Sequence, residues 1–157
     1  MPTFDYRFTV AAPVQAVSDF HHDTSVLKKL SPPPIFVQLH HFEPLGEGSL
    51  AEFTMWFGPV PVRWQAVHLN VGPQGFTDRQ VRGPLQMWEH THRFTPLDAH
   101  TTQVREHVVY SHPAGWRGLL TRLFFGKPGL TFLFTYRKMV TRWALRRHAP
   151  AGQTSAA

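Results

Sequence analysis

His90 and His92 are the residues of this chain best suited to chemistry, and Asp78 and Glu106 are the carboxylates best placed to serve them. A histidine titrates near neutrality, so beside a carboxylate it can remove or return a proton. Two imidazoles and a carboxylate are also a ligand set for a transition-metal ion. Both uses require the groups to share one surface. The stretch from Phe76 to Phe94 alternates like two strands broken at Gly83-Pro84, and successive side chains of a strand face opposite sides of a sheet. Trp88, His90, His92 and Phe94 therefore point one way, as do Phe76, Asp78 and Gln80. In the run from Thr102 to Ser111 the more apolar face carries Thr102, Val104, Glu106, Val108 and Tyr110, which sets it inward. Neighbouring strands lie about 4.8 Å apart, so a favourable register brings Asp78, Gln80, His90, His92 and Glu106 together.

Several readings of this polar row stay open. In the first, the carboxylates satisfy buried imidazoles, since unpaired buried polar groups are costly. In the second, the row orients an otherwise apolar guest by its hydroxyl, carbonyl or carboxylate. In the third, His90 or His92, oriented by Glu106 or Asp78, promotes aldol cyclisation or dehydration. A metal version takes His90, His92 and Glu106 as ligands, but His-x-His on a strand is common without an ion and local sequence fixes no third ligand. Neither a metal nor another cofactor is assigned. His21-His22 and His40-His41 are weaker candidates, because adjacent residues diverge on a helix or a strand.

The elements that must position these groups follow in order. Thr3 to Val10 alternates as a first strand, and Pro13 suits the first turn of a helix. Ser18 to Leu30 reads as two short helices with a break near His21 to Thr24, ended by Ser31-Pro32-Pro33-Pro34. Further strands are expected at Ile35 to Phe42, Ser49 to Phe57, Val62 to Val71, in the hairpin, and at Thr101 to Ser111, joined by turns too short for parallel crossovers. Trp116 to Phe125 is a mixed apolar segment whose large residues read as core, bracketed by glycines that would let it act as a lid. A long helix is expected from about Leu130 to Arg147, with Leu130, Leu133, Phe134, Met139 or Val140, and Trp143 turned toward the sheet.

Composition narrows the class. A chain of 157 residues fits one domain, taken as 1–148 with a disordered tail at 149–157. The absence of cysteine excludes disulfide scaffolds and thiolate nucleophiles. No apolar run approaches the ~20 residues that span a bilayer, and the N-terminus lacks the pattern of a secretory signal, so the expected location is the cytoplasm. The net charge of +6 does not mark a nucleic-acid binder, because the cations become dense only near the end. Lys138, Arg142 and Arg146, four residues apart, share a helical face that would meet water or an anionic membrane surface.

The order strand, two short helices, six-strand meander and long helix resembles the START-like or helix-grip superfamily. Closer resemblance comes from Phe57-Gly58-Pro59-Val60-Pro61-Val62-Arg63-Trp64, from Phe76-x-Asp78-x-Gln80-x-x-Gly83-Pro84 with Trp88-x-His90-x-His92-x-Phe94, and from Phe134-x-Tyr136-Arg137. These look like the small bacterial SRPBCC proteins of cyclase/dehydrase type, over roughly residues 3 to 147. The resemblance implies an α+β fold, a seven-stranded antiparallel sheet wrapped around the terminal helix. It also implies a cavity between them that opens near Gly115 to Gly129. The expected partner is a hydrophobic small molecule or lipid, met by Asp78, Gln80, Trp88, His90, His92, Phe94, Glu106, Tyr110 and Phe134. A cyclase/dehydratase-like enzyme using His90, His92 and Glu106 is the alternative, and a fold shared by carriers and enzymes does not choose between them.

Overall fold

A computed structural model describes residues 1–148; the expectation for 149–157 lies outside the described residues. The elements are β1 (Thr3–Val10), α1 (Val14–His22), a 3-10 turn (Thr24–Lys28), β2 (Ile35–Phe42), β3 (Leu50–Phe57), β4 (Val60–Gly72), β5 (Gly75–Arg82), β6 (Met87–Pro96), β7 (Thr102–Ser111), α2 (Gly115–Phe125) and α3 (Lys127–Leu145), closed by a 3-10 turn at Arg146–His148. Six strands form a meander from β2 to β7. The first strand then pairs with the last, giving the order β1-β7-β6-β5-β4-β3-β2 with every pairing antiparallel. One face of this sheet holds the terminal helix, the architecture that the resemblance implies. Among the described residues no helix is long and apolar enough to cross a membrane.

Alternation decides the faces. On β6, Trp88, His90, His92 and Phe94 are buried, and on β7 so are Thr102, Val104, Glu106, Val108 and Tyr110. Phe8 and Val10 of β1 continue the same inner surface. The core behind it falls into two clusters. One gathers Trp64, Trp88, Phe125, Leu130 and Phe134 beneath α2 and α3; the other gathers Phe8, Val10, Val17, Phe76 and Phe94 beneath α1. Strand β6 passes from the first cluster at Trp88 to the second at Phe94, and the two histidines lie between.

The helices depart from expectation in three ways. The second short helix is a 3-10 turn, started by the Asp23 side chain, which accepts a hydrogen bond from the Ser25 amide at 2.9 Å. The segment at 115–125 is a true helix, yet its large residues are not core: Trp116 is 72% exposed and Leu123 69%, with Leu119, Leu120 and Phe124 also exposed. The helix instead buries Gly118, Thr121 and Phe125, because a glycine seated against the Pro113 carbonyl brings the backbone closer than any side chain permits. On α3 the inward stripe is Leu130, Phe134, Thr141 and Leu145, spaced at multiples of the helical turn. Met139 and Trp143 face outward, one step round the helix from that stripe.

Gly75 opens β5 with φ +142°, and a Cβ there would collide with the His92 carbonyl on β6. Its lack of a side chain lets the two strands approach where the histidine row begins. Gly48 also has a positive φ, +78°, but faces open space. Gly75→Ala should therefore lower unfolding free energy by about 2–3 kcal/mol or more, adding a backbone clash to the strain, while Gly48→Ala should cost about 1 kcal/mol. Urea denaturation of both variants checks the order; equal losses would show that the approach to His92 carries no weight.

Candidate functional site

The register of the three central strands builds the site. Asp78 on β5 lies directly opposite His90 on β6, and Glu106 on β7 lies directly opposite His92. Each imidazole therefore has one carboxylate facing it across the ladder and the other on the diagonal. His90 Nε2 donates to Glu106 Oε2 at 2.7 Å, and His92 Nε2 donates to Asp78 Oδ2 at 3.1 Å. Those two bonds run on the diagonal; the directly facing approaches are His90 Nδ1 to Asp78 Oδ2 at 3.3 Å and His92 Nδ1 to Glu106 Oε2 at 2.8 Å. The last is close but off the line of a hydrogen bond, which leaves His92 Nδ1 buried without a well-directed partner. The ring centroids are 3.9 Å apart. Phe76 stacks on His92 at 4.3 Å, and Phe134 presents its edge to His90 at 5.2 Å.

Charge balance holds this arrangement. Burial alone would push both carboxyls up and His92 down, since a low-dielectric interior disfavours the charged form. The opposite charges and hydrogen bonds outweigh it: His90 and His92 keep Asp78 and Glu106 well below the usual carboxylate range, and Glu106 and Asp78 raise His92 to about 9. Burial wins at His21, which falls to about 4. Its Nδ1 donates to the Val17 carbonyl at 2.8 Å, leaving Nε2 as an acceptor at neutral pH.

Beside this cluster lies a cavity of about 140 Å³. Asp78, His90 and His92 form its polar wall; Phe53, Met55, Trp64, Phe76 and Trp88 supply apolar surface. Glu106 is not on the cavity but behind the histidines, 2% exposed. The lining reaches the exposed Asp23 and the half-buried Thr24 and Leu45. The way out therefore lies between the 3-10 turn and the β2–β3 connection, rather than at 115–129, which contributes only Phe125.

The residues expected to meet a ligand separate into two groups. Asp78, Trp88, His90 and His92 line the cavity. The others stand apart from it. Gln80 clips the hairpin instead, its amide donating to the Leu85 carbonyl at 2.8 Å. Phe94 packs against His21 in the second cluster, Tyr110 flanks Trp88, and Phe134 underlies His90. Sequence reasoning missed His21, His68 and Arg137 as lining residues. Arg137 occupies the inward stripe of α3, three residues after Phe134. Its Nε donates to the Leu30 carbonyl at 3.3 Å and its guanidinium lies 5.3 Å from the Phe134 ring centroid. That spacing was readable in the sequence, but a run of surface cations hid it. Arg137 is thus a cation at the cavity. Lys138 and Arg142, by contrast, lie against β1: Lys138 over the Tyr6 ring at 5.9 Å, and Arg142 donating to the Thr9 carbonyl at 2.8 Å. Arg146 folds back on Trp143.

No protein-family model and no curated protein matches this chain. Solved structures do. The Zhui aromatase/cyclase from Streptomyces sp. R1128 superposes with a TM-score of 0.75 at 16% identity, covering 97% of this chain and 98% of its own. Norcoclaurine synthase from Thalictrum flavum, solved with dopamine and hydroxybenzaldehyde, gives 0.68 at 13% identity, covering 95% and 88%. A START superfamily protein from Mycobacterium smegmatis gives 0.67 at 11% identity, covering 92% and 97%. The chain has the START-like, helix-grip fold.

The raised pKa of His92 fixes the sign of a pH effect. Its folded pKa exceeds its unfolded value of about 6.5, so its contribution is fully present below about pH 6.5 and is lost as pH rises through about 9. In EDTA-containing buffer the urea midpoint should fall between about pH 6 and pH 9.5, and His92→Gln should flatten that slope. An unaltered slope in the variant assigns the effect to another group.

Proposed function

We propose that this chain binds a small hydrophobic molecule that carries one polar group, held in the cavity between sheet and helix with that group against Asp78, His90 and His92. The observation that carries the reading is the cavity itself, apolar on most sides and polar on one wall. Its volume is close to that of an engineered apolar cavity of about 150 Å³ that takes up benzene. A single ring or a short chain fits inside; anything longer extends past Asp23 and Thr24. The Arg137 guanidinium at the cavity favours a guest whose polar end accepts hydrogen bonds, such as a carbonyl, carboxylate or phenol oxygen.

The alternative, a cyclase- or dehydratase-like enzyme, asks the same groups to take up and return protons near neutrality. A histidine held protonated to about 9 and two carboxylates held low are poorly matched to that cycle. Binding is the reading they support better. Native mass spectrometry of protein purified from cells should detect a small hydrophobic compound. Ala66→Leu, which fills the cavity from β4, should release it with the folded state retained. Undiminished binding by that variant places the guest elsewhere.

A membrane-facing role is favoured by one further observation. Of the sixteen lysines and arginines eight lie beyond Glu106, and of the ten acids none does. In that stretch α2 exposes Trp116, Leu119, Leu120 and Leu123 alongside Arg117 and Arg122, the composition of a helix that settles into an anionic lipid interface. Lys138 and Arg142, turned to β1, are secondary to it. Sedimentation with phosphatidylserine vesicles should be salt-sensitive and should be lost in L119E/L123E. Binding that survives this change but falls in K138A/R142A returns the contact to α3.

A further inference from the structure

We propose that Asp78, His90 and His92 are the protein ligands of a divalent first-row transition-metal ion at the polar wall of the cavity, and that Glu106 is the carboxylate behind them that orients both imidazoles. The four groups are arranged in two layers. Toward the cavity, Asp78 Oδ2 lies 3.3 Å from His90 Nδ1 and 3.1 Å from His92 Nε2. Donor atoms bound at about 2.1 Å to one ion stand about 3.0 Å apart at right angles and about 3.4 Å apart at the tetrahedral angle. Both separations from Asp78 Oδ2 fall in that interval, the spacing that a shared ion requires. One ligand atom from each of the three residues lies within 4.8 Å of the others.

Away from the cavity, the remaining ring nitrogens meet a single buried oxygen. His90 Nε2 and His92 Nδ1 lie 2.7 Å and 2.8 Å from Glu106 Oε2. A metal-bound imidazole almost always donates its second N–H to a carboxylate or carbonyl, which selects the tautomer and aims the ligating nitrogen. Here one carboxylate does this for two rings. The tautomers it selects carry hydrogen on His90 Nε2 and His92 Nδ1 and free His90 Nδ1 and His92 Nε2, the two nitrogens that face Asp78. The poorly directed Nδ1 of His92 gains a partner when its ring turns toward an ion.

Charge agrees with the geometry. Two carboxylates beside two neutral imidazoles balance one dication, which takes the place of the proton between His92 Nε2 and Asp78. Nitrogen and oxygen donors, with no thiolate in a chain that lacks cysteine, select zinc, iron, cobalt or nickel rather than calcium or a copper(I) site. Three protein ligands leave a coordination position open to the cavity, where an oxygen of the guest or a water would bind.

Metal-free protein titrated with Co²⁺ and, by calorimetry, with Zn²⁺ tests the assignment. One equivalent per chain is expected, with cobalt absorption bands of a nitrogen- and oxygen-ligated site. D78N, H90Q and H92Q should each abolish that equivalent. E106Q should retain the stoichiometry and weaken affinity about 10–100-fold. H40Q/H41Q, on exposed strand surface, should change nothing. Circular dichroism identifies any variant that does not fold. For those, X-ray absorption of the wild-type zinc complex decides, since two imidazoles give a recognisable scattering pattern. Wild-type protein that takes up no Zn²⁺, Co²⁺ or Ni²⁺ at millimolar concentration overturns the proposal. So does a bound equivalent that survives D78N, H90Q and H92Q.

Discussion

Two carboxylates share a buried wall with two imidazoles, and much of this structure answers to that fact. Removing a carboxylate from water costs several kcal/mol even after relaxation, and the cost is recovered only by opposite charge and well-placed hydrogen bonds. Asp78 and Glu106 come from different strands, and neither histidine could satisfy them from a surface loop. The sheet must hold β5, β6 and β7 in one register, since a shift of a single residue would turn either carboxylate to the outer face. Phe76 and Phe134 flank the wall on two sides, stacked on His92 and edge-on to His90. Stability and the site are therefore one problem in this fold. A change that loosens the register unbalances the charges, and a change in the charges strains the register.

The same arrangement explains why the interior is hollow where it is. The two apolar clusters pack large rings at either end of β6, while between them the polar groups engage one another and leave the space in front of them unfilled. Arg137 reaches this space from the opposite side, anchored to the Leu30 carbonyl. A guest would lie between a fixed anionic and imidazole wall and a helix-borne guanidinium. In the proposed binding role, that geometry would order a molecule with one polar end. Relatives in shape include an aromatase/cyclase and a norcoclaurine synthase, so the scaffold itself leaves the choice open.

Period-two patterning made most of the sheet legible. It placed Trp88, His90, His92 and Phe94 on one face and Glu106 on the inner face of its strand, because alternation survives without knowledge of partners. What pairs with what was not legible: the register opposing Asp78 to His90 depends on the Gly83-Pro84 turn and on Gly75, whose collision with His92 is a contact across strands. The apolar residues of α2 misled for a physical reason. Preference for burial is a statement about averages, and local sequence does not say whether Gly118 or Leu119 will meet the body of the protein. Arg137 is the converse case. Its place on the stripe with Leu130, Phe134 and Thr141 was visible, but a cation in a basic run reads as solvent-facing until the helix is docked.

The uneven distribution of charge along the chain has an electrical consequence. With half the cations and none of the acids following Glu106, the part of the chain that carries α2 and α3 is positive and the preceding residues carry a small negative excess. The molecule is thus a dipole. Near a negatively charged surface, within a screening length of about 8–10 Å at physiological salt, such a body experiences a torque before any contact forms. It would arrive with its helices foremost and the outer surface of its sheet turned away, so that encounters in the wrong orientation are reduced by the field rather than by collision.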